Sequence, residues 1–383
     1  MVRSSIPLSR TMKKSFFSLI SLFSIILAVS TFLIPNFTQA ENNEIIPDKE
    51  NIYKAKVIQI FEEKESEILE TGVKNNYQKI EVEILTGEKK GEKITVENDY
   101  LNLKKGETFY LMESIHDDGD TLHYSVHDKY RLPVLYFFIV LFVICVVIFG
   151  GSQGIRGLVS LIGSMLLIGF VLIPNILAGY SPILLTICVS SLIIILGSYI
   201  THGFNKTTSS AVIGMITTVI FTGALAYFAV DLAGLSGFES EEAVYLNFNT
   251  GGKIDFVGLL FGGIIIGLLG VLYDVSIGQA VSVEELREAG KDLTRKEIFK
   301  RALRIGKEHT GALVNTLAIA YVGASLPLLL LFYNNSGGSF NEIINREIFA
   351  TEIIRTIIGS IGLVLAVPIT TAISVFMLVK NKD

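Results

Sequence analysis

Residues 258–274 read GLLFGGIIIGLLGVLYD, residues 275–309 read VSIGQAVSVEELREAGKDLTRKEIFKRALRIGKEH, and residues 310–332 read TGALVNTLAIAYVGASLPLLLLF. The first and last segments are apolar and long enough to cross a bilayer, because roughly 20 apolar residues at 1.5 Å each match a hydrocarbon core of about 30 Å. The charged segment between them must lie on one side of the membrane. This stretch therefore predicts a polytopic α-helical membrane protein.

The composition of the whole chain agrees with a membrane protein that also has an exposed domain. Half of the 383 residues are hydrophobic and 18% are charged. Residues 41–132 are polar, whereas residues 133–383 form a series of apolar runs, so one exposed domain precedes one membrane domain. The net charge of −5 gives no reason to expect nucleic acid as a partner. Both cysteines, Cys145 and Cys188, lie in apolar runs and predict no disulfide, metal site or cofactor.

The first 40 residues are typical of a secretory signal. Basic residues precede the apolar run Phe16–Ile34, and small residues stand before a cleavage site after Ala40. The apolar run is longer than a usual signal, so an uncleaved anchor helix is the alternative. Either one places the residues that follow it outside the cell.

Residues 52–131 predict five short β-strands. Lys79, Glu81 and Glu83 alternate with apolar neighbours, which is the period of a half-buried strand. Five evenly spaced strands favour a small extracytoplasmic barrel, with an OB-like barrel as the first choice. The acidic run Asp117–Asp120 is predicted to be a plain turn, because it lacks the full ligand series of a calcium loop.

Seven spans are predicted after Pro133, and their odd number puts the two ends of the membrane domain on opposite faces. With the β-rich domain outside, 12 Lys and Arg residues fall in cytoplasmic segments and 3 in the external connections between spans. This bias follows the positive-inside rule, so residues 41–132 are expected outside and the C-terminus in the cytoplasm. The predicted spans cover about 134–150, 155–173, 182–200, 209–230, 256–273, 311–332 and 357–379.

Two helix faces carry the candidate site. Positions spaced by three or four residues share a face, and in the fifth span this spacing joins Gly263, Gly267, Gly270 and Asp274. A second pair of small residues, Gly258 and Gly262, lies on a neighbouring face. In the sixth span the same spacing joins Gly311, Asn315, Ala318, Val322 and Ser325. Small residues let helices approach closely in lipid, so the two faces are predicted to pack together.

Polar groups at the cytoplasmic ends of these spans form the predicted functional cluster. Asp274, His309 and Asn315 are expected near one another, because the two spans are antiparallel and meet the cytoplasm at this end. The alternatives are that the Asp and His are simply solvated and that Asn315 only joins the helices. Pro327 predicts a kink in the sixth span, because it lacks an N–H.

The charged segment 275–309 is predicted to be a cytoplasmic helical hairpin. The runs Ser282–Glu285 and Thr294–Glu297 both match a capping box, and Gly290 is suited to end the first helix. The apolar side of the second helix, with Ile298 and Ala302, is expected to rest in the membrane interface or against other spans. A solvated connector is the alternative.

Three ordered motifs resemble the YibE/F-like family of bacterial membrane proteins. They are Gly267-Leu-Leu-Gly270 with Tyr273-Asp274-Val275, Gly306-Lys-Glu-His309-Thr-Gly311, and Asn315-Thr316 with Ala320-Tyr-Val-Gly-Ala-Ser-Leu-Pro327. The family pattern favours Arg-Asp where this chain has Lys307-Glu308, which preserves the charges. The resemblance extends over nearly the whole chain after about residue 50. It implies a multi-pass protein of the bacterial plasma membrane, with no particular activity or substrate.

Two functions follow as hypotheses. The first is a permease-like transporter of an unknown small molecule or ion, or an accessory to one, in which the fifth and sixth spans form the moving or binding element. The alternative is an envelope scaffold or sensor in which the outer β domain binds a ligand or partner and the hairpin reports it. The sequence contains no nucleophile–base pair, phosphate loop or zinc motif, so no enzyme is predicted. The small-residue faces also allow a homo-oligomer or another membrane partner.

Overall fold

A computed structural model describes residues 51–67, 74–115, 122–334 and 339–380. The predicted signal or anchor at residues 1–40 and the predicted turn at Asp117–Asp120 lie outside these ranges. The chain separates into two compact units between Ile148 and Phe149. The first is built around a β-sheet and the second is helical.

Each of the five predicted β-type runs forms a strand. In the second strand Ile80, Val82 and Ile84 are fully buried, while Lys79 and Glu81 lie on the opposite, partly exposed face. The alternation in sequence is therefore the alternation of the two faces of the sheet. The strands are β1 (Asn51–Glu67), β2 (Lys74–Ile84), β3 (Lys93–Asn98), β4 (Thr108–Ile115) and β5 (Leu122–Lys129).

The sheet is antiparallel and its strand order is β3-β2-β1-β4-β5. The long strand β1 pairs with β2 and with β4, so it organises both halves. The edge strands β3 and β5 touch, but no hydrogen-bonded ladder joins them in the described residues. The OB-like barrel is therefore not confirmed, and the unit is a half-barrel sheet around one apolar core.

Two buried amide side chains attach the loop after β3 to this sheet. Gln78 is fully buried, and its Nε2 donates to the Leu103 carbonyl at 3.0 Å while its Oε1 accepts from the Leu103 N–H at 2.9 Å. Asn98 Nδ2 donates to the same Oε1 at 3.1 Å. Because buried polar groups need partners, these bonds hold one arrangement of the loop.

A partly buried ion pair ties the β2–β3 turn to β4. Glu113 is 3% exposed and accepts hydrogen bonds from Lys89 and, at 3.4 Å, from Tyr124. Burial raises the pKa of Glu113, but hydrogen bonding and the charge of Lys89 outweigh it, and the pKa ends below its usual value. The hydrogen bond to Glu113 raises the pKa of Lys89.

The helical unit begins within the first long helix and contains a π-helical turn at Ile168–Leu172. In chain order the helices are α1 (Leu132–Leu167), α2 (Ile173–Leu177), α3 (Pro182–His202), α4 (Lys206–Leu232), α5 (Glu241–Asn249), α6 (Phe256–Ala289), α7 (Arg295–Ala324), α8 (Leu326–Asn334), α9 (Phe340–Ile344) and α10 (Glu347–Leu378).

Five helices in the described ranges are long and apolar enough to cross a membrane, or six if the bent pair α7 and α8 is one span. These helices make the chain a membrane protein. The first, Leu132–Leu177, has 46 residues and would measure about 69 Å if straight, against a hydrocarbon core of about 30 Å. Gly151 interrupts it with φ 53° and ψ −135°. The predicted spans 134–150 and 155–173 flank that break, and the count of seven is not confirmed.

Helices α4, α6 and α10 form the centre of the bundle through small and hydroxyl-bearing residues. A Cβ added to Gly214 of α4 would lie 2.5 Å from Thr370 Oγ1 and 3.0 Å from Thr370 Cα of α10. Ser210 and Ser374 hydroxyls are 2.9 Å apart, and Thr370 donates to Ser276 at 3.2 Å. These contacts bring the backbones close, as membrane helices without a hydrophobic driving force require.

The hairpin exists, but its first helix is the continuation of α6. Thr294 and Glu297 form the predicted capping box, and α6 ends before Gly290 as predicted. The capping box predicted at Ser282 is wrong: Ser282 lies inside α6 and donates its hydroxyl to the Gly278 carbonyl at 2.8 Å. No Pro follows Asp274 within α6, so every backbone N–H there can continue the helical hydrogen bonding past Asp274.

The hairpin rests against α10, which was one of its predicted positions. Ile298 and Ala302 are 1% and 0% exposed and belong to an apolar cluster with Val375 of α10. Arg295 Nε donates to the Val379 carbonyl at 2.8 Å, which satisfies a carbonyl at the end of α10. The hairpin is therefore packed, and a solvated connector is ruled out for this face.

Candidate functional site

A cavity of about 290 Å³ lies between α6, α7 and α10 and contains two of the predicted site residues. We call it the Asp274 cavity. Asp274 and His309 both line it, and both side chains are exposed. The prediction that these two residues lie close together is thus supported by their shared cavity. Its lining consists of Asp274, Val275, Gly278, Gln279, Ser282, Ile305, Gly306, His309, Leu313 and Val367.

The unbroken helix α6 explains the polar side of the cavity. Asp274 stands about 27 Å along α6 from Phe256, near the far edge of a hydrocarbon core of about 30 Å. Because α6 continues beyond it, Gly278 and Ser282 follow at four-residue intervals on the same face. A helix that ended at Asp274 would leave the carboxylate in a loop without these neighbours.

Gln279 and Gly306 are two buried residues in the lining of the cavity. Gln279 is 4% exposed, and its Nε2 donates to the Ala302 carbonyl of α7 at 2.7 Å. A Cβ added to Gly306 would lie 2.6 Å from Gln279 Oε1 and would also clash with Val367 of α10. The two helices therefore meet closely here, and Gly306 is needed for that approach.

Asp274 also has a histidine on the other side of α6. His202, at the end of α3, interacts electrostatically with Asp274, and its ring centroid is 5.9 Å from that of Tyr273. Tyr273 Oη donates to the Gly197 carbonyl at 3.0 Å, which attaches α6 to α3. The carboxylate thus lies in a region with two imidazoles, His202 and His309.

Asn315 and Gly311 are not part of the cavity. Asn315 is exposed and is absent from the cavity lining. It lies six residues beyond His309 on the continuous helix α7, and six residues correspond to about 240° of rotation. Asn315 therefore faces another direction and lies about 9 Å further along the helix than His309. Gly311 is exposed, and a Cβ added there would contact nothing within 4 Å.

The predicted packing of the glycine face of α6 is largely wrong. Gly263 and Gly270 are exposed, and an added Cβ at either would meet nothing within 4 Å in the described chain. At Gly267 it would meet the hydroxyl of Tyr321 of α7, so this one position of the face does contact the sixth span. The close approach is made instead by Gly262, where a Cβ would lie 2.7 Å from Thr186 Oγ1 of α3.

The last two predicted residues lie at a break in the sixth span. Helices α7 and α8 are bent by 72°, with Ser325 between them and Pro327 in the first turn of α8. The predicted kink is thus confirmed. Ser325 Oγ donates to Glu352 Oε2 of α10 at 3.1 Å, so it belongs to a different set of contacts from Asp274.

Sequence reasoning missed Gln279 and Gly306 in the cavity and Glu352 with Arg355 beside the break. Gln279 could have been found as the polar residue five positions beyond Asp274, had the helix been continued. Glu352 and Arg355 were treated as part of an external connection, whereas both lie inside α10. Their sequence signal is two charges, three residues apart, just before an apolar run.

This arrangement suits reversible binding of a cation or of a small molecule with hydrogen-bond donors. A carboxylate accepts hydrogen bonds, and an imidazole donates, accepts and changes charge near neutral pH. Within residues 51–67, 74–115, 122–334 and 339–380, no group of three or more His, Cys, Asp or Glu side chains is placed to hold a metal ion.

Comparison with known proteins gives one match. The family model described as YibE/F-like protein matches residues 138–380, which is more than half of the chain. No curated protein and no solved structure matches the chain.

Proposed function

The chain belongs to the YibE/F-like family, and on that premise we propose that it is a permease-like transporter of the bacterial plasma membrane, or an accessory to one. Helices α6 and α7 form its binding and moving element, and the Asp274 cavity receives a small molecule or an ion. No catalytic step is part of this proposal.

The observation that carries the proposal is that Asp274 and His309 come from different helices and line one cavity. Ionisable groups near the membrane core are costly and usually serve a substrate or ion path. The 72° break between α7 and α8 adds support, because transporters build their sites and moving parts from interrupted helices.

The proposed orientation opens the Asp274 cavity toward the cytoplasm and puts the C-terminus on the same side. It rests on the excess of Lys and Arg in the segments assigned inside. Reporter fusions after Val126 and after Lys380 are expected to give opposite signals. Matching signals would contradict both the orientation and the span count.

The alternative is a sensor or scaffold, and it is favoured by the separate compact β unit. In that function the sheet, with OB-like closure, binds a ligand or partner, and the hairpin of α6 and α7 reports it. Transport differs in one measurable respect: it requires groups on α6 to become accessible from both sides of the membrane.

Cysteine labelling separates the two functions without knowledge of a substrate. In a variant with Cys145 and Cys188 replaced by Ala, cysteine is introduced at Val275 of α6, which lines the Asp274 cavity. Transport predicts labelling by a membrane-impermeant maleimide from either side. Cysteine at Phe204, which is exposed beyond the end of α3, should label from one side only. Single-sided labelling at both positions would refute alternating access.

Two substitutions and a matched control separate chemistry from packing. Asp274→Asn keeps the shape of the side chain and removes its charge, so it should abolish the activity that a deletion strain lacks while protein levels stay normal. Glu285→Gln is the matched control, because Glu285 is exposed on the same helix and away from the cavity. Gly267→Leu displaces Tyr321 and should lower protein levels. Full activity of Asp274→Asn would remove the basis of the proposal.

A further inference from the structure

The bend between α7 and α8 opens a second cavity, of about 350 Å³, against α9 and α10. Its walls are almost entirely apolar, with side chains such as Leu329, Phe332, Phe349 and Ile357. We call it the Glu352 cavity. It shares no residue with the Asp274 cavity.

One corner of the Glu352 cavity is charged. Glu352 lines it, accepts a hydrogen bond from Ser325 at 3.1 Å and pairs with Arg355 at 2.5 Å. Arg355 also lies 3.6 Å from Glu239, in the segment before α5. Two carboxylates thus share one guanidinium, so the group has an excess of one negative charge when all three are ionised. The three side chains are only 20–24% exposed, which limits screening by water.

Polar atoms at this corner still lack partners. Tyr321 lines the cavity, but its hydroxyl is buried beside Gly267 of α6, and Glu239 Oε2 is buried beside Arg355. Neither has a hydrogen-bond partner in the part of the chain that the structure describes. Arg355 Nε, a donor, also lacks a partner there. Buried polar atoms without partners are rare in folded proteins, so this corner is more polar than the described chain satisfies.

We propose that the Glu352 cavity binds a monocationic amphiphile, an alkylammonium compound with a single apolar chain. The ammonium group donates a hydrogen bond to Glu352, and it neutralises the excess negative charge. The chain lies among Leu329, Phe332 and Ile357. An anionic amphiphile is repelled by the same excess charge. The volume is at the lower end of known ligand pockets, about 300–1,000 Å³, and therefore suits one chain rather than two.

A tryptophan reporter tests this site, because the chain contains no Trp. Phe332→Trp introduces a single indole into the cavity wall. The full chain, in phosphatidylcholine nanodiscs, is titrated with dodecylamine, dodecanol and dodecanoate while indole emission is recorded. We expect a saturable change with dodecylamine, at least about tenfold tighter than with the other two, which corresponds to one charge-assisted contact.

Charge variants in the same reporter background decide the outcome. Glu352→Gln should remove the preference for the amine, whereas Glu241→Gln, an exposed glutamate at the start of α5, should leave it unchanged. Equal binding of the amine and the alcohol would overturn the proposal and identify the cavity as a lipid contact. If Glu352→Gln fails to fold, Glu239→Gln replaces it, because it removes the excess negative charge while Glu352 stays in place. Weaker amine binding in that variant supports the proposal, and unchanged binding refutes it.

Discussion

Replacing Gly214 by Ala is expected to loosen the centre of the helical bundle. Gly214 is buried where α4 crosses α10. The new Cβ would lie 2.5 Å from Thr370 Oγ1 and 3.0 Å from Thr370 Cα. The hydroxyl can rotate away, but the Cα belongs to the backbone of α10 and moves only if the helices separate. Gly270 is the matched control, because it lies inside α6 with nothing within 4 Å of an added Cβ.

The comparison of the two variants isolates packing. In a helix interior Gly→Ala gains about 1 kcal/mol of helix propensity, and this gain is common to both sites. Overpacking a well-packed interface costs about 1–3 kcal/mol. Gly214→Ala should therefore be less stable than Gly270→Ala by about 1–3 kcal/mol, or roughly 5- to 150-fold in the unfolding equilibrium.

The assay is unfolding of the purified full-length protein in mixed micelles, with sodium dodecyl sulfate as denaturant and helix content by circular dichroism as the signal. Gly214→Ala should unfold at a lower detergent fraction than the wild type, and Gly270→Ala at the same or a higher one. Equal midpoints for the two variants would refute the close crossing of α4 and α10.

Three further predictions concern the hairpin and the β unit. Thr294→Ala should lower the free energy of unfolding by about 1 kcal/mol in thermal unfolding, because the capping box is lost, whereas Ser282→Ala should lower it little. A larger effect of Ser282→Ala would indicate that Ser282, and not Thr294, caps a helix. Because the folded pKa of Glu113 is lowered, its stabilisation is present above about pH 4.5 and is lost as pH falls through the folded value. The free energy of unfolding of the β unit, measured between pH 7 and 3, should show this loss in the wild type and lack it in Glu113→Gln. The same pH dependence in both proteins would contradict the argument. Residues 45–131 expressed alone should be soluble and β-rich by circular dichroism, and a helical spectrum would be contrary evidence.

The two ionisable residues of the candidate site were predictable from sequence because helix periodicity is local. Asp274 and His309 are each at the end of an apolar run, and an antiparallel pair of spans must bring such ends to one side. Asn315 was placed with them by depth alone. Depth along a helix does not specify direction, and the continuous α7 turns Asn315 away from the cavity. The partners of Gln279 and Glu352 depend on where α6 and α10 begin and end.

The sequence by itself determined the classes of segment in this protein. Apolar runs of span length predict membrane helices because the bilayer acts on each residue separately, and the alternation in β2 predicts a strand because its two faces meet different surroundings. Which face of a helix meets which neighbour was decided only by the tertiary structure. Helix α6 has two stripes of small residues, and either could pack closely. Gly262 packs against Thr186 of α3 while Gly263 stays open, because contact between helices depends on the shapes of both, and one sequence stripe contains only half of that information.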